Sequence, residues 1–481
     1  MDKVLTGPIG SKLALIIVIN NGFISGMAVS WTGASFAKVR SEAVMTMTMT
    51  QAAIAVAIFY FGQAVATMPY GYGEKAFGKR RMLQFGITFI VAGWLIIYFS
   101  ENRYGSYVGR FMLGVWLSTS IMSTTPYLAE VAVPARRGLV VSFVTIQFMA
   151  GAILESVMAI YLSYFRLALL NMSVGTFHFI SLQLVPESPY FLIRKGRIDD
   201  ARRRFYWFRG TNSDEFQKTV VTVKEQMSLN SRYIDIFKYP LSRSAFSFAL
   251  TLIMFQRVSG VLPVYAYAAY IFPDAITKSE YMRILFYCIS LICVLISGNT
   301  VDRIGRRKLL IISAAGSCIF CMTTTVWFVL SELTSADLGK ANWVPLVSIT
   351  GEIASNALGT LYIPSILVSE MFPVNIKAKA MILLQLSQLF LIILNIKLYM
   401  AFKVNHICFV IYTVYTSMLT FSCFYYIKMY DTKGKTLEEI HAHFEAKGRR
   451  RTTISIVEPI KNTFAFVKKK EKRKSTIEIT T

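Results

Sequence analysis

Twelve apolar runs, each near the roughly 20 residues that an α-helix needs to cross a bilayer, dominate this chain. They lie near 13–34, 52–70, 82–99, 107–129, 139–164, 167–185, 246–271, 283–301, 309–331, 342–368, 380–402 and 407–427. Backbone in hydrocarbon must satisfy its own hydrogen bonds, so runs of this length commit the chain to spanning helices. The loops set the orientation. Basic loops at 71–81, 130–138, 302–308 and 369–379 alternate with weakly charged ones, and short loops rich in Lys and Arg stay cytoplasmic. An even number of spans then puts both termini in the cytoplasm. The expected fold class is an all-α membrane protein with twelve transmembrane helices in two pseudo-symmetric six-helix halves.

The net charge of +24, with 51 Lys and Arg against 27 Asp and Glu, would suggest nucleic acid in a soluble protein. Here the excess gathers on one side of the spans, so it reads as topology, with some attraction to anionic lipid. No nucleic-acid partner is expected. Residues 1–12 form a short polar stub without a persuasive cleavage site, expected to be retained. The first half is expected at 13–185, a cytoplasmic linker with short amphipathic helices at 186–245, the second half at 246–427 and a basic cytoplasmic tail at 428–481. The six cysteines fall in or near apolar runs of the second half, where helix packing is expected rather than disulfides or a metal pair.

Internal repetition supports two halves. The loop Gly71-Tyr72-Gly73-Glu74-Lys75-Ala76-Phe77-Gly78-Lys79-Arg80-Arg81 matches Gly298 to Arg307, with Gly71 against Gly298 and Gly78 against Gly305. Pro126-Tyr127-Leu128-Ala129-Glu130 is echoed by Val368-Ser369-Glu370-Met371-Phe372-Pro373, each followed by a short basic loop. Halves related in this way are the build of a rocking transporter whose site lies near the midplane between them. Asp302-Arg303-Ile304-Gly305-Arg306-Arg307, Gly109-Arg110-Phe111-Met112-Leu113-Gly114, Tyr127 to Glu130, Pro186-Glu187-Ser188-Pro189, Ser369 to Pro373 and Thr432 to Ile440 occur in order. In these six motifs the chain resembles the sugar-porter family of the major facilitator superfamily. Trp31-Thr32-Gly33 and Ile376-Lys377-Ala378-Lys379-Ala380 look most like its insect trehalose-transporter branch. The resemblance implies the major facilitator fold and alternating-access transport of a sugar across the plasma membrane without ATP, by a monomer.

Charged residues at the cytoplasmic helix ends stand as a candidate gate. Glu130, Glu187, Asp302 and Glu370 share a layer with Arg80, Arg136, Arg137, Arg303, Arg306 and Arg307. Such pairs are expected to hold the halves together when the cavity faces outward. Exposed pairs are worth about 0 to 1 kcal/mol each, so several acting together would bias a switch without freezing it. Lys75 and Ala76 stand where the motif has an acid and an arginine.

A neutral polyol needs uncharged donors and acceptors and an aromatic face. The family resemblance draws these from spans 5, 7, 8, 10 and 11, and here it points to Gln147, Gln256, Ser290, Tyr362 and Gln388, with Tyr265 and Tyr267 as further aromatic surface. Arg257 replaces an amide of the family pattern and Leu262 its asparagine. At about 1.5 Å per residue, Arg257 and Glu352 both fall near the bilayer midplane, and buried charges need partners. They are expected to pair, and an unpaired Arg257 would favour an anionic substrate. Proton-driven members resemble one another in an acidic residue within span 1. This chain has none there, so facilitated diffusion is expected, with Glu155 and Glu352 able to overturn it. A carrier of another small polar or anionic solute and a non-transporting sensor are the competing readings. Four histidines without metal spacing, and the lack of a phosphate-cradling loop, argue against an enzyme, a metal site or a cofactor.

Overall fold

The computed structural model describes residues 9–42, 44–45, 47–133, 137–210, 213–228, 232–265, 279–334, 341, 343–372, 374–405 and 407–430. The expected tail, apart from residues 428–430, lies outside the described residues, as do 266–271 of span 7 and the 272–278 that follow it. The first half consists of α1 (Ile9–Ser41), α2 (Met49–Phe77), α3 (Lys79–Phe99), α4 (Arg103–Val131), α5 (Arg137–Tyr161) and α6 (Tyr164–Leu182). Four short helices follow: α7 (Pro189–Arg194), α8 (Ile198–Arg209), α9 (Ser213–Ser228) and α10 (Asp235–Lys238). The second half holds α11 (Pro240–Arg257), α12 (Ser279–Ile304), α13 (Arg306–Leu333), α14 (Val344–Leu358), α15 (Ile363–Met371), α16 (Val374–Val404) and α17 (Cys408–Ile427).

Nine of these helices, among the described residues, are long and apolar enough to cross a membrane. The other predicted spans differ for physical reasons. α4 is continuous but rich in Ser and Thr, with Arg110 buried inside it. Span 7 breaks after Arg257, with Gly260 at φ +89° before helix resumes at 261–265. Span 10 breaks between Leu358 and Ile363. Broken helices at membrane depth are tolerated where their freed backbone groups find partners or line a cavity.

Local signals fix the helix ends. Thr48 and Gln51 form a reciprocal capping box at α2, and the Asn102 side chain accepts from the Gly105 N–H at 2.9 Å to start α4. At the basic end, Gly78 (φ +85°) and Gly305 (φ +97°) separate α2 from α3 and α12 from α13. Each donates its N–H to a carbonyl four residues back, Glu74 and Val301, at 3.0 Å. A side chain is disfavoured at such a φ, so the matched glycines of the two repeats make the same turn.

Glycines also set how closely helices cross. A Cβ at Gly26 would collide with the Phe148 carbonyl and one at Gly151 with the Phe23 carbonyl, so α1 and α5 meet backbone to backbone. Gly62 and Gly114 do the same for α2 and α4. Small residues of this kind drive helix association where lipid supplies no hydrophobic force. The halves meet along α2 with α16 and along α5 with α12.

Candidate functional site

At the basic end the charges form a compact network. Lys79, its side chain 5% exposed, reaches Glu74 and Glu130 at 2.7 Å each. Arg194 of α7 joins Glu74 at 3.3 Å. The second Glu130 oxygen accepts from the Ser188 hydroxyl at 2.5 Å, and Arg209 of α8 donates to the Glu130 carbonyl at 2.5 Å while holding Glu215 at 2.8 Å. Glu187 accepts the N–H groups of Ser188 and Arg80. Burial pushes its carboxyl above the usual range, partly offset by those two N–H groups and the Arg80 charge.

The described part of the expected gate pairs within one half: Glu130 and Glu187 find these partners in the first half and on α7 and α8. Arg307 likewise stays inside its own half, donating to the carbonyls of Tyr426 and Ile427 at the end of α17. Arg306 opens α13. Arg136 lies outside the described residues, as do the side chains of Arg137, Asp302, Arg303 and Glu370, which α5, α12 and α15 position. The sequence reading passed over Glu74, Lys79, Arg194 and Arg209. The signal was there: an acid beside the Gly78 turn and a lysine just after it, at the α3 start.

Toward the middle of the molecule, Gln256 donates to the Leu361 carbonyl at 2.5 Å, joining the broken end of α11 to the break between α14 and α15. Beside it, Asn395 of α16 donates to the Arg257 carbonyl at 2.7 Å, and the Tyr415 hydroxyl donates to Asn395 at 2.5 Å. Ser290 is fully buried, bonded to the Phe286 carbonyl at 2.8 Å and the Tyr265 hydroxyl at 2.5 Å. Tyr265 in turn stacks on Tyr287, 4.8 Å between ring centroids. The Tyr362 hydroxyl meets Ser297 at 2.5 Å. Tyr267 lies outside the described residues. Gln147 on α5 and Gln388 on α16 are half-buried and make no hydrogen bond among the described residues. Gln388 is seven residues from Asn395, hence on the same helix face. Gln147 lies between Val144 and Gly151, through which α5 meets α1.

Arg257 and Glu352 do not pair. The Glu352 oxygens are buried without a hydrogen-bond partner among the described residues. Glu352 shares a face of α14 with Ser348, which accepts from Thr324 of α13 at 2.8 Å, and its electrostatic neighbours are Cys321, Tyr412 and Tyr415. It therefore points into the packing of α13 and α17. Arg257 instead faces Tyr60 of α2. The two charges therefore point to different helices, Arg257 toward α2 and Glu352 toward α13 and α17.

Arg283 was not singled out by the sequence reading, although a cation inside an apolar run is itself a signal. It is 1% exposed, and from α12 it donates to the Gly33 carbonyl of α1, crossing between the halves. One turn on, Tyr287 lies beside Ser30 of α1. Glu155 lies near Arg283 and accepts from Asn171 at 2.9 and 3.0 Å.

A family model described as "Sugar (and other) transporter" matches residues 12–444. Facilitated trehalose transporter Tret1 of Apis mellifera ligustica is 26% identical over 392 residues, covering 80% of this chain and 77% of that protein. Sugar transporter ERD6-like 6 of Arabidopsis thaliana is 27% identical over 395 residues, covering 80% of each. Among solved structures, the proton:xylose symporter XylE bound to 6-bromo-6-deoxy-D-glucose aligns with a TM-score of 0.76 at 19% identity, covering 90% of this chain and 99% of that one. The inward-open xylose transporter XylE from E. coli aligns at 0.72 and 20% identity, over 89% and 98%. The fold is that of the major facilitator superfamily, twelve helices in two halves. With the match running through both halves and the helices between them, the chain is a multi-pass membrane protein that belongs to the sugar-transporter family, whose members are carriers and not enzymes.

Proposed function

We propose that this protein is a facilitative carrier of the plasma membrane, both termini in the cytoplasm, that moves a sugar of hexose or trehalose size by alternating access as a monomer. The observation that carries the reading is the meeting of two broken helices, joined by Gln256 and Leu361 at 2.5 Å, with Gln147 and Gln388 unengaged on α5 and α16. Discontinuous helices at the junction of repeats are where transporters place substrate, and free amides supply both donors and acceptors for hydroxyls. Facilitated movement follows from α1, which carries no acidic residue along its length. That the trehalose transporter of Apis mellifera ligustica is a relative adds weight to a sugar of that kind.

Uptake of radiolabelled hexoses and trehalose into proteoliposomes tests the reading. Saturable uptake that equilibrates, ignores a proton gradient and falls about tenfold when Gln388 becomes alanine, the loss expected for one or two hydrogen bonds, is the expected result. Accumulation driven by the gradient would replace the facilitator with a symporter. Failure of folded protein to move any sugar would end the proposal.

A further inference from the structure

The charge of Arg257 is the least explained feature of the space between the halves. Its backbone is anchored by Asn395 and, through it, Tyr415, so the side chain leaves a fixed point at the broken end of α11. Its guanidinium makes no hydrogen bond among the described residues, and its Nε is shut from solvent without a partner. The ionisable group that feels it is Tyr60 of the opposite half. Tyr60 also feels Arg110, whose Nη1 is buried and unpartnered as well. The carboxylates within reach by depth are turned elsewhere: Glu352 into the α13 and α17 packing, Glu155 onto Asn171.

Tyr60 is within electrostatic reach of both guanidinium groups, and no described acid pairs with Arg257. The carbonyl end of α11 offsets part of its charge, but a half-buried cation without an anion, its Nε shut from solvent, remains costly. A neutral sugar would leave that cost in place. Resting on the sugar-site reading above, we propose that the transported sugar carries a carboxylate, as a hexuronate does, and that Arg257 receives it. Arginine binds carboxylate through two parallel N–H bonds, while Gln147 and Gln388 serve the hydroxyls. Arg110 is shut away at 1% exposure against Thr32, Trp31 and Phe59, so a single carboxylate balances the accessible charge of Arg257, whereas a doubly charged phosphate ester would bring in an excess negative charge.

The test is uptake of radiolabelled glucuronate, glucose, trehalose and glucose 6-phosphate into proteoliposomes holding the full-length protein or its Arg257→Gln variant. Each preparation is checked for a sharp thermal unfolding transition. The expected result is wild-type preference for glucuronate over the other three. The glucuronate-to-glucose uptake ratio should fall by about tenfold or more in the variant, as loss of a charge-assisted hydrogen bond requires. Wild-type uptake of neutral sugars with exclusion of glucuronate would overturn the proposal and leave the sugar carrier standing. So would a variant whose glucuronate-to-glucose ratio is unchanged, since Arg257 would then serve only the helix end. Preference for glucose 6-phosphate would refute the charge-balance argument, and no uptake of any sugar by folded protein would remove both readings.

Discussion

Lys79 is wedged between Glu74 and Glu130 with 5% of its side chain exposed, so its loss leaves two carboxylates facing each other out of water. Breaking a buried pair from one side costs about 3–5 kcal/mol. Lys79→Met should therefore lower the thermal unfolding midpoint of the detergent-solubilised protein, and adding Glu130→Gln should recover part of the loss. Glu352 predicts the opposite sign. An unsatisfied buried polar group costs about 1–3 kcal/mol, so Glu352→Leu should raise the midpoint, measured in the same melt; a lower midpoint would mean that the carboxyl is doing structural work there. At this scale, the presence of charges inside apolar helices was legible in the sequence and their direction was not. Counting residues along a helix places a charge at the midplane. Which way it points depends on how the helix is rotated against its neighbours, as the separation of Glu352 from Arg257 illustrates.

Elements were read most reliably where polarity changes sharply. The runs ending at Gly78 and Gly305 were legible because a glycine and basic residues close them. The breaks after Arg257 and Leu358 were not, because the residues on both sides stay largely apolar while the hydrogen-bond ladder stops. The linker helices announced themselves through charge: Asp199 and Asp200 in the first turn of α8 and Arg209 in its last complement the helix dipole. Crossing geometry rests on small residues, and this can be tested. Gly26→Leu would drive a side chain into the Phe148 carbonyl and push α1 off α5. The variant should yield little monodisperse protein on size-exclusion chromatography, whereas Gly298→Ala, on the exposed face of α12 with nothing within 4 Å of its added carbon, should cost far less.

For the whole molecule, the two ends are held by different chemistry. Away from the basic loops, Arg283 inserts from α12 onto the Gly33 carbonyl, and Tyr287 and Ser30 extend the seam. In the proposed alternating-access cycle, outward opening would require that seam to part. In a background with the six native cysteines replaced, a cysteine at Ala34, buried at 1%, should react faster with an impermeant thiol reagent once Arg283 becomes alanine. Equal rates would mean that the arginine does not hold the seam.

The attachment of the short helices has a mechanical consequence. α7 and α8 are pinned to the first half through Arg194 on Glu74 and Arg209 on Glu130. α9 packs with them around Phe205 and Phe216, while α10 rests on α11 and α16. α7, α8 and α9 therefore belong with the first half and α10 with the second, so in the proposed alternating-access cycle the first three would travel as cargo on one rocker arm. A pair of fluorophores on α8 and α3 should keep a constant separation throughout a turnover, while a pair on α8 and α13 should register the stroke.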